Sequence, residues 1–535
     1  MTAEAMQRRR FAGRLSEGAI VAAVYLCAQG LMFLDKGVFW DDWVWYRQPW
    51  SMLMDVSRQL GSLWPGWTLA APYQSDAAMW VTRMVAAGAY LLAALWFLGI
   101  LRELGVDRPT RLVMALCFAV FPVNGARIPI ATAPYAVSLA LFVGGCRLVV
   151  ASTRRPSLWI RVGAALALLL SLRTASFGVL IPVVLGYVIW QEGVARAPRL
   201  WFAAAVRHAE LLVVPLVYVV LRAFVLIPSG AYGDYNAITA TTAFHGIAGV
   251  PAAMWHSLVA PLLWGASELV TVVGVVSAAI VFGLLLAGRD SEPQDSRSWR
   301  RALAWIVAGV ALVAVALLPY LLVGKMPALS DFESRHQLLV PFGAALGFGG
   351  AYRLLRVWLR RSEVAALALA ALLLGGFVAA DISNNISYLR ERYKHISMME
   401  QMAASPEFRS ATTFLFLDRT RELNANRRVS VRDYEYAGMM TETFGDQTRF
   451  GVDAGEFAST GMVGHRADFN AQNKMGAYRE RPPQYLVEVL PGALDLSSDA
   501  TVLHLLAVDL ANPAKLADAT RQTVELRIQA AGIIQ

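Results

Sequence analysis

The sequence predicts an α-helical polytopic membrane protein with about eleven transmembrane helices and a small C-terminal α/β soluble domain. Three observations predict it. Hydrophobic residues make up 57% of the 535 residues and charged ones only 16%, whereas a soluble domain carries about 25% charged residues. Apolar runs long enough to enter a hydrocarbon core recur up to residue 380 and then stop. Charge divides at the same place: residues 1–380 hold 31 Lys+Arg against 19 Asp+Glu, and residues 381–535 hold 17 against 20. The chain is therefore expected to divide into a transmembrane part, 1–380, and a soluble part, 381–535. The net charge of +9 is topology charge, and no nucleic-acid partner is expected.

Spans are expected near residues 15–34, 78–101, 112–123, 134–151, 162–172, 177–191, 209–227, 263–287, 302–323, 338–357 and 364–380. The first follows the basic stretch MQRRRFAGR. Its run of about 20 residues exceeds a signal-peptide core of about 7–15, and no A-x-A cleavage site follows, so it reads as a retained span. Basic clusters fall in alternate loops: Arg102, Arg108 and Arg111; Arg154, Arg155 and Arg161; Arg196, Arg199 and Arg207; Arg289, Arg297, Arg300 and Arg301; Arg356, Arg360 and Arg361. Positive loops stay in the cytoplasm. An odd span count then puts the N-terminus in the cytoplasm and residues 381–535 outside, in the periplasm if the membrane is a bacterial inner membrane.

Two outer segments are long. Residues 35–77 carry Trp40, Trp43, Trp45, Trp50, Trp64 and Trp67, and residues 228–262 follow the seventh span. Indole rings favour the interface, so both are expected on the bilayer surface as amphipathic pieces. In the tail, residues 385–404 and 511–522 read as helical, and 411–417, 427–434, 484–490, 501–508 and 523–529 as strands. The tail has no phosphate-binding glycine motif and no nucleophile elbow. Cys27, Cys117 and Cys146 all lie in apolar runs, so no disulfide framework or Cys-based zinc site is expected. His245 and His256 read as ordinary loop residues, His395, His465 and His504 as structural, and Met398, Met399 and Met402 as packing. RTRELNANRR (419–428) reads as a solvated charged face.

The informative polar residues lie near the outer ends of spans: Arg83, Arg127, Arg173, Arg222, Glu268, Arg335 and His336. Snorkelling to headgroups explains any one of them, and it explains Arg147 at an inner end. Positive-inside bias disfavours the set. Several arginines on one outer cleft would suit a phosphate or pyrophosphate. The sharpest signal is FWDDWVWYRQ (39–48), a carboxylate pair between aromatics just after the first span. On a helix the two would diverge by about 100°, so at most one aims at a given atom. Such a carboxylate can serve as a general base. The plainer alternative is that Asp41 or Asp42 caps a helix starting at Trp43.

Asp41-Asp42 in the first outer loop, Trp45 and Tyr46 after it, YVVLRAFVLIPSGAYGDY (218–235) and ESRHQLLVP (333–341) together resemble the GT-C superfamily of glycosyltransferases. The resemblance covers about residues 10–380. His336 stands where the family usually has Tyr, NGARIPIATAP (124–134) lacks an additional acid found in some branches, and the tail lacks the Trp-Trp-Asp signature of the oligosaccharyltransferase branch. The resemblance implies transfer of a sugar from a polyprenyl-phosphate-linked donor to a glycan, lipid or protein acceptor at the outer face. A lipid-phosphate sugar already carries a good leaving group. It lacks a deprotonated acceptor hydroxyl and neutralisation of the departing phosphate. Asp41 is expected as the base, with Asp42 as metal ligand, acceptor contact or cap. Arg222 and Arg335 are expected on the phosphate, with Arg127, Arg173 and His336 as weaker contacts. Attack opposite the phosphate would invert the anomeric centre. A divalent cation at the pair is the one cofactor considered, and no further metal-ligand set is expected. A transporter or flippase of a lipid-linked or anionic substrate would instead place charges at the midplane on broken helices. A non-catalytic assembly protein would not depend on Asp41 or Asp42.

Overall fold

The computed structural model describes residues 15–155, 157–191, 198–234, 236–288, 299–359, 362–459, 478–479 and 481–531. Arg196, Arg289, Arg297, Arg360, Arg361 and His465 lie outside the described residues. Helices dominate, with a four-stranded sheet near the C-terminus. Four helices are long and apolar enough to cross a membrane: Asp76–Glu103, Ile130–Arg154, Trp299–Leu321 and Glu363–Ala404. The number rises to six if each of two bent pairs is one span, Trp201–Arg207 with Glu210–Phe224 and Ala240–Ala248 with Val250–Glu268. Shorter apolar helices cover Glu17–Phe33, Leu158–Ser171, Ala175–Trp190 and Val272–Ala287. Large apolar side chains such as Leu166, Leu216, Val275 and Val307 face outward from these helices. Such faces mark a membrane-associated protein.

The run 263–287, expected as one span, is two helices. Ala260–Glu268 ends, and Thr271 caps Val272–Ala287 by accepting the Gly274 N–H at 3.0 Å. A Cβ on Gly274 would lie 2.0 Å from the Glu268 carbonyl oxygen, so only glycine permits the reversal. The segment 228–262 is not a surface piece throughout. From Ala240 it is helical and runs, bent by 54°, into the helix that ends at Glu268. A π-helical turn at Trp255–Val259 interrupts it. The Gln337 amide donates to the His256 carbonyl there at 2.8 Å, satisfying backbone that the irregular turn frees.

The first outer segment also departs from expectation. Trp50 and Trp67 are exposed, but Trp40, Trp43 and Trp45 are buried. The tail covers them. Gly438, on the helix Asp433–Phe444, lies so close that a Cβ would stand 2.9 Å from that of Trp43. Arg47 reaches Glu442 of the same helix at 2.6 Å.

Glu363–Ala404 is one helix of 42 residues, capped by Ser362. The boundary expected at 380/381 falls inside it. Its first half packs in the bundle through Leu367, Leu374 and Phe377. Its second half supplies Leu389, Tyr393, Met398 and Met402 to the core of the tail. The sheet comprises β1 (Thr413–Asp418), β2 (Phe450–Asp453), β3 (Tyr485–Pro491) and β4 (Val524–Ala530), in the order β2-β1-β3-β4. β1 pairs parallel with β2 and β3, and β3 antiparallel with β4. Phe414 and Phe416 face the core shared with the long helix, while Leu415 faces a second cluster with Phe450 and Val452, as period-two alternation requires.

Two expected strands are absent. Residues 501–508 lie in the helix Asp499–Ala511, whose buried Val502, Leu505, Leu506 and Asp509 follow helical spacing. Residues 427–434 begin in a left-handed turn and end in the helix that starts at Asp433. The charged run before them is not simply a solvated face, because Leu423, Asn424, Ala425, Asn426 and Arg428 are buried.

Arg428 shows why. Its guanidinium lies between the carboxylates of Glu391, on the long helix, and Glu435, reached at 2.5 Å. Both acids and the arginine are almost wholly buried. Glu391 also accepts the Ala425 N–H at 2.8 Å, and Glu435 the N–H groups of Trp40 and Arg432 at 3.2 and 2.9 Å. Arg428→Ala would leave two buried carboxylates without their cation, a loss of about 3–5 kcal/mol. We expect a clear drop in the thermal midpoint of the purified protein, with exposed Arg419→Ala nearly neutral. Equal midpoints for the two variants would contradict this assignment.

Candidate functional site

The carboxylate pair divides. Asp42 is fully buried. Its two oxygens accept the N–H groups of Ile130 and Ala131 at 2.9 and 2.8 Å and the Tyr73 hydroxyl at 3.1 Å. These N–H groups open the helix Ile130–Arg154, so Asp42 caps a helix start 88 residues away rather than its own. Complete burial pushes the Asp42 carboxyl up to about 6, against the pull of these donors and of nearby Arg83.

Asp41 precedes the short helix Asp42–Trp45, but its side chain makes no cap hydrogen bond. It is half-buried. Among the described residues its side-chain partner is the Tyr434 hydroxyl, contributed by the tail. Trp40, just before it, is buried with φ of +48°, a conformation a bulky residue adopts only when its surroundings enforce it. The Glu435 carboxylate on the Trp40 N–H, Phe332 at 4.8 Å and Tyr388 at 5.9 Å from the indole supply that enforcement.

The expected phosphate contacts fall into three places. Arg127 is buried beside Asp381 at 3.8 Å and donates to the carbonyls of Asn124 and Val123. Arg222 gives one nitrogen to the carbonyls of Leu60, Gly61 and Leu226, at 3.1, 2.9 and 2.9 Å. Arg173 is an electrostatic neighbour of Arg222, with Tyr135 and Tyr218 beside it. Arg335 lies over the Phe332 ring at 3.8 Å, and His336 bonds Glu333 at 2.8 Å. Phe332 thus sits between Trp40, which leads into Asp41, and Arg335. Tyr135 and Tyr320 connect the Arg173 and Arg335 groups electrostatically.

Arg83 donates to the carbonyls of Asp35, Gly37 and Ile128, tying the segment after the first apolar helix to the loop around residue 128. Glu268 accepts the Trp264 indole N–H at 3.0 Å.

Four participants went unnoticed in the sequence. Tyr73 and Tyr434 contact the pair. Lys325, pulled down to about 8 by burial and by Arg335, joins the Arg335 group. Glu435 holds Trp40. No local motif marks any of them, since each reaches its partner across many residues. Glu391, His395 and Glu435 bring one ligand atom each within 4.8 Å of one another. Arg428 already lies between the two carboxylates, where a cation would sit. No known family model matches the chain, and no curated protein matches it in sequence.

The Asp42 environment gives a pH signature. Its folded-state value of about 6 lies above the ordinary 3.8, so the folded protein takes up the proton first. Lowering pH through that window removes a penalty. The stability of the wild type relative to Asp42→Asn should therefore rise between pH 7 and pH 4.5, read as the difference in thermal midpoint. A difference that shrinks toward acid would place the Asp42 value below, not above, the ordinary one.

Proposed function

We propose that this chain is a membrane glycosyltransferase of GT-C type that moves a sugar from a polyprenyl-phosphate-linked donor to a glycan, lipid or protein acceptor at the outer face. The observation that carries this reading is the division of labour in the pair: Asp42 is held by three donors, while Asp41 is half-buried with Tyr434 as its partner. A carboxylate oriented by one hydroxyl and open on its remaining lone pairs suits a general base.

In the proposed step the acceptor hydroxyl oxygen attacks the anomeric carbon and its proton passes to Asp41. The bond from that carbon to the phosphate oxygen breaks, and the electron pair leaves on the phosphate. Arg335, Lys325 and Arg173 neutralise the charge that develops. Arg222 is a weaker contact, since one nitrogen already serves three carbonyls, and Arg127 holds Asp381. Phe332, backed by buried Trp40 at 4.8 Å, forms an apolar divider between base and cations, and its half-buried ring suits the face of a sugar. A transporter of a lipid-linked substrate is the second reading, favoured by the two bent helix pairs.

The topology belongs to the same proposal. Gly246 packs on the Leu321 carbonyl, at the outer end of its helix, and Trp264 meets Arg427 of the tail at 4.4 Å. Both ends of Ala240–Glu268 then lie on one side, as a re-entrant segment. The remaining apolar helices make about eleven crossings, which keeps the basic clusters, in alternate loops, on one side. The tail is then extracytoplasmic, in the periplasm of a bacterial inner membrane.

Alkaline phosphatase joined after residue 531 should be active in cells; an inactive fusion beside an active β-galactosidase fusion would overturn the topology. For the chemistry, Asp41→Asn keeps size but removes the base. With purified protein and a lipid-linked sugar donor, turnover should fall about 10²-fold or more while donor binding persists. Normal transfer by Asp41→Asn would remove the glycosyltransferase mechanism and favour transport or anchoring.

A further inference from the structure

A cavity of about 450 Å³ opens between the tail and the middle of the long helix. Its walls come from three places distant in sequence: Ser383, Asn384 and Ser387 on the helix, Trp264 at the end of the re-entrant segment, and the loop 421–429. Four arginines line it, and one acid, Glu422. Two of the four are already engaged. Arg390 pairs with Asp499 at 2.6 Å, and Arg428 sits between Glu391 and Glu435. The other two guanidinium groups are not: among the described residues, neither the Arg421 nor the Arg427 side chain has a hydrogen bond or salt bridge, and Glu268 is an electrostatic neighbour of Arg427.

Arg427 is placed deliberately. Asn426 and Arg427 both have positive φ, +49° and +56°. Two successive left-handed residues that are not glycine persist only where the surroundings over-determine them. The Asn426 amide donates to the Asp331 carbonyl at 2.7 Å and to Ser334 Oγ at 2.9 Å. That grip turns the next residue so that its guanidinium stacks on Trp264 at 4.4 Å. Stacking on a ring face leaves the edge of the guanidinium, where its N–H donors lie, for a planar or tetrahedral anion. Arg421 is exposed at the same cavity.

We infer that this cavity binds the phosphate of a membrane amphiphile. The charge calls for an anion, and the guanidinium forks suit phosphate oxygens. The amphiphile follows from position. Trp264 belongs to an apolar helix, and Leu329 and exposed Val429 add apolar wall beside the polar groups. A headgroup would meet the arginines while its chains leave along the bundle. Two sources share this chemistry, a phospholipid headgroup and a polyprenyl phosphate. The inference does not rest on the sugar-transfer reading, because none of these residues was assigned a role in it.

The test uses full-length protein in detergent, with binding measured separately for phosphatidylglycerol, polyprenyl phosphate and inorganic phosphate. At least one lipid should bind the wild type, and Arg421→Gln with Arg427→Gln should weaken it about tenfold or more. Exposed Lys515→Gln should leave it unchanged. Arg421→Glu alone, at an exposed position that folding does not need, should also weaken binding. The lipid whose affinity falls identifies the source. Unchanged lipid affinity in both arginine variants would overturn the inference, and so would inorganic phosphate binding as tightly as either lipid. Asp41→Asn should bind as the wild type does, so a failed transfer assay would leave this result standing.

Discussion

One buried guanidinium ties the long helix of the bundle to the tail. Arg428 joins Glu391, from a helix that begins in the bundle, to Glu435, from the helix that follows β1. Each acid has a second task. Glu391 accepts the Ala425 N–H and so anchors the loop that carries Asn426 and Arg427. Glu435 accepts the Trp40 N–H and so fixes the residue before the carboxylate pair. A buried charge pair adds little net stability over an apolar substitute, but it admits very few geometries. Here that selectivity is the point: the long helix, the loop at Ala425 and the helix at Glu435 are held in one register with Trp40, which is 395 residues from Glu435.

Around this group the loops interlock through hydrogen bonds to backbone rather than by side-chain packing. The Gly125 carbonyl accepts from Asn384 and Tyr388 of the long helix, at 3.2 and 3.0 Å. A Cβ there would lie 2.4 Å from Asn426 Oδ1, so the second outer loop fits only with glycine. Arg83 fastens the first loop to the second, and Asp42 fastens it again at Ile130 and Ala131. Buried carbonyls and N–H groups need partners. The arginines and asparagines that stand out in an apolar sequence supply many of them.

That explains what could be read from the sequence. Bundle and tail were visible, because hydropathy and charge depend only on local composition. The carboxylate pair was visible because its aromatic flanks are adjacent in the chain. The turn at 269–271 was hidden, since Gly274 and Thr271 hardly interrupt an apolar run. The strand expected at 501–508 rested on its β-branched and apolar residues, yet the buried positions repeat with helical spacing. Asp42 caps a helix that starts 88 residues on, which no local reading of the pair can find. Arg127 and Arg222 resembled phosphate ligands because a sequence cannot show that a carbonyl is waiting. The tail's share was the least legible. The contacts of Trp40 with Glu435 and of Arg47 with Glu442 each span 395 residues.

The tail therefore completes the site rather than merely hanging from the membrane part. Tyr434 and Glu435 are neighbours on one helix; one bonds the side chain of Asp41 and the other the backbone of Trp40. Any tilt of that helix would move the candidate base and its aromatic wall together. Alternating access requires parts of a bundle to rock apart around a site. Here the loops at 35–48, 121–132 and 331–337 are tied to the long helix, to the tail and to one another by buried hydrogen bonds. Opening them would strand several buried polar groups at once, at about 1–3 kcal/mol each. A site braced this way is better suited to holding reacting atoms in place than to passing a substrate through, so the bracing accords with the proposed sugar transfer better than with the proposed transport.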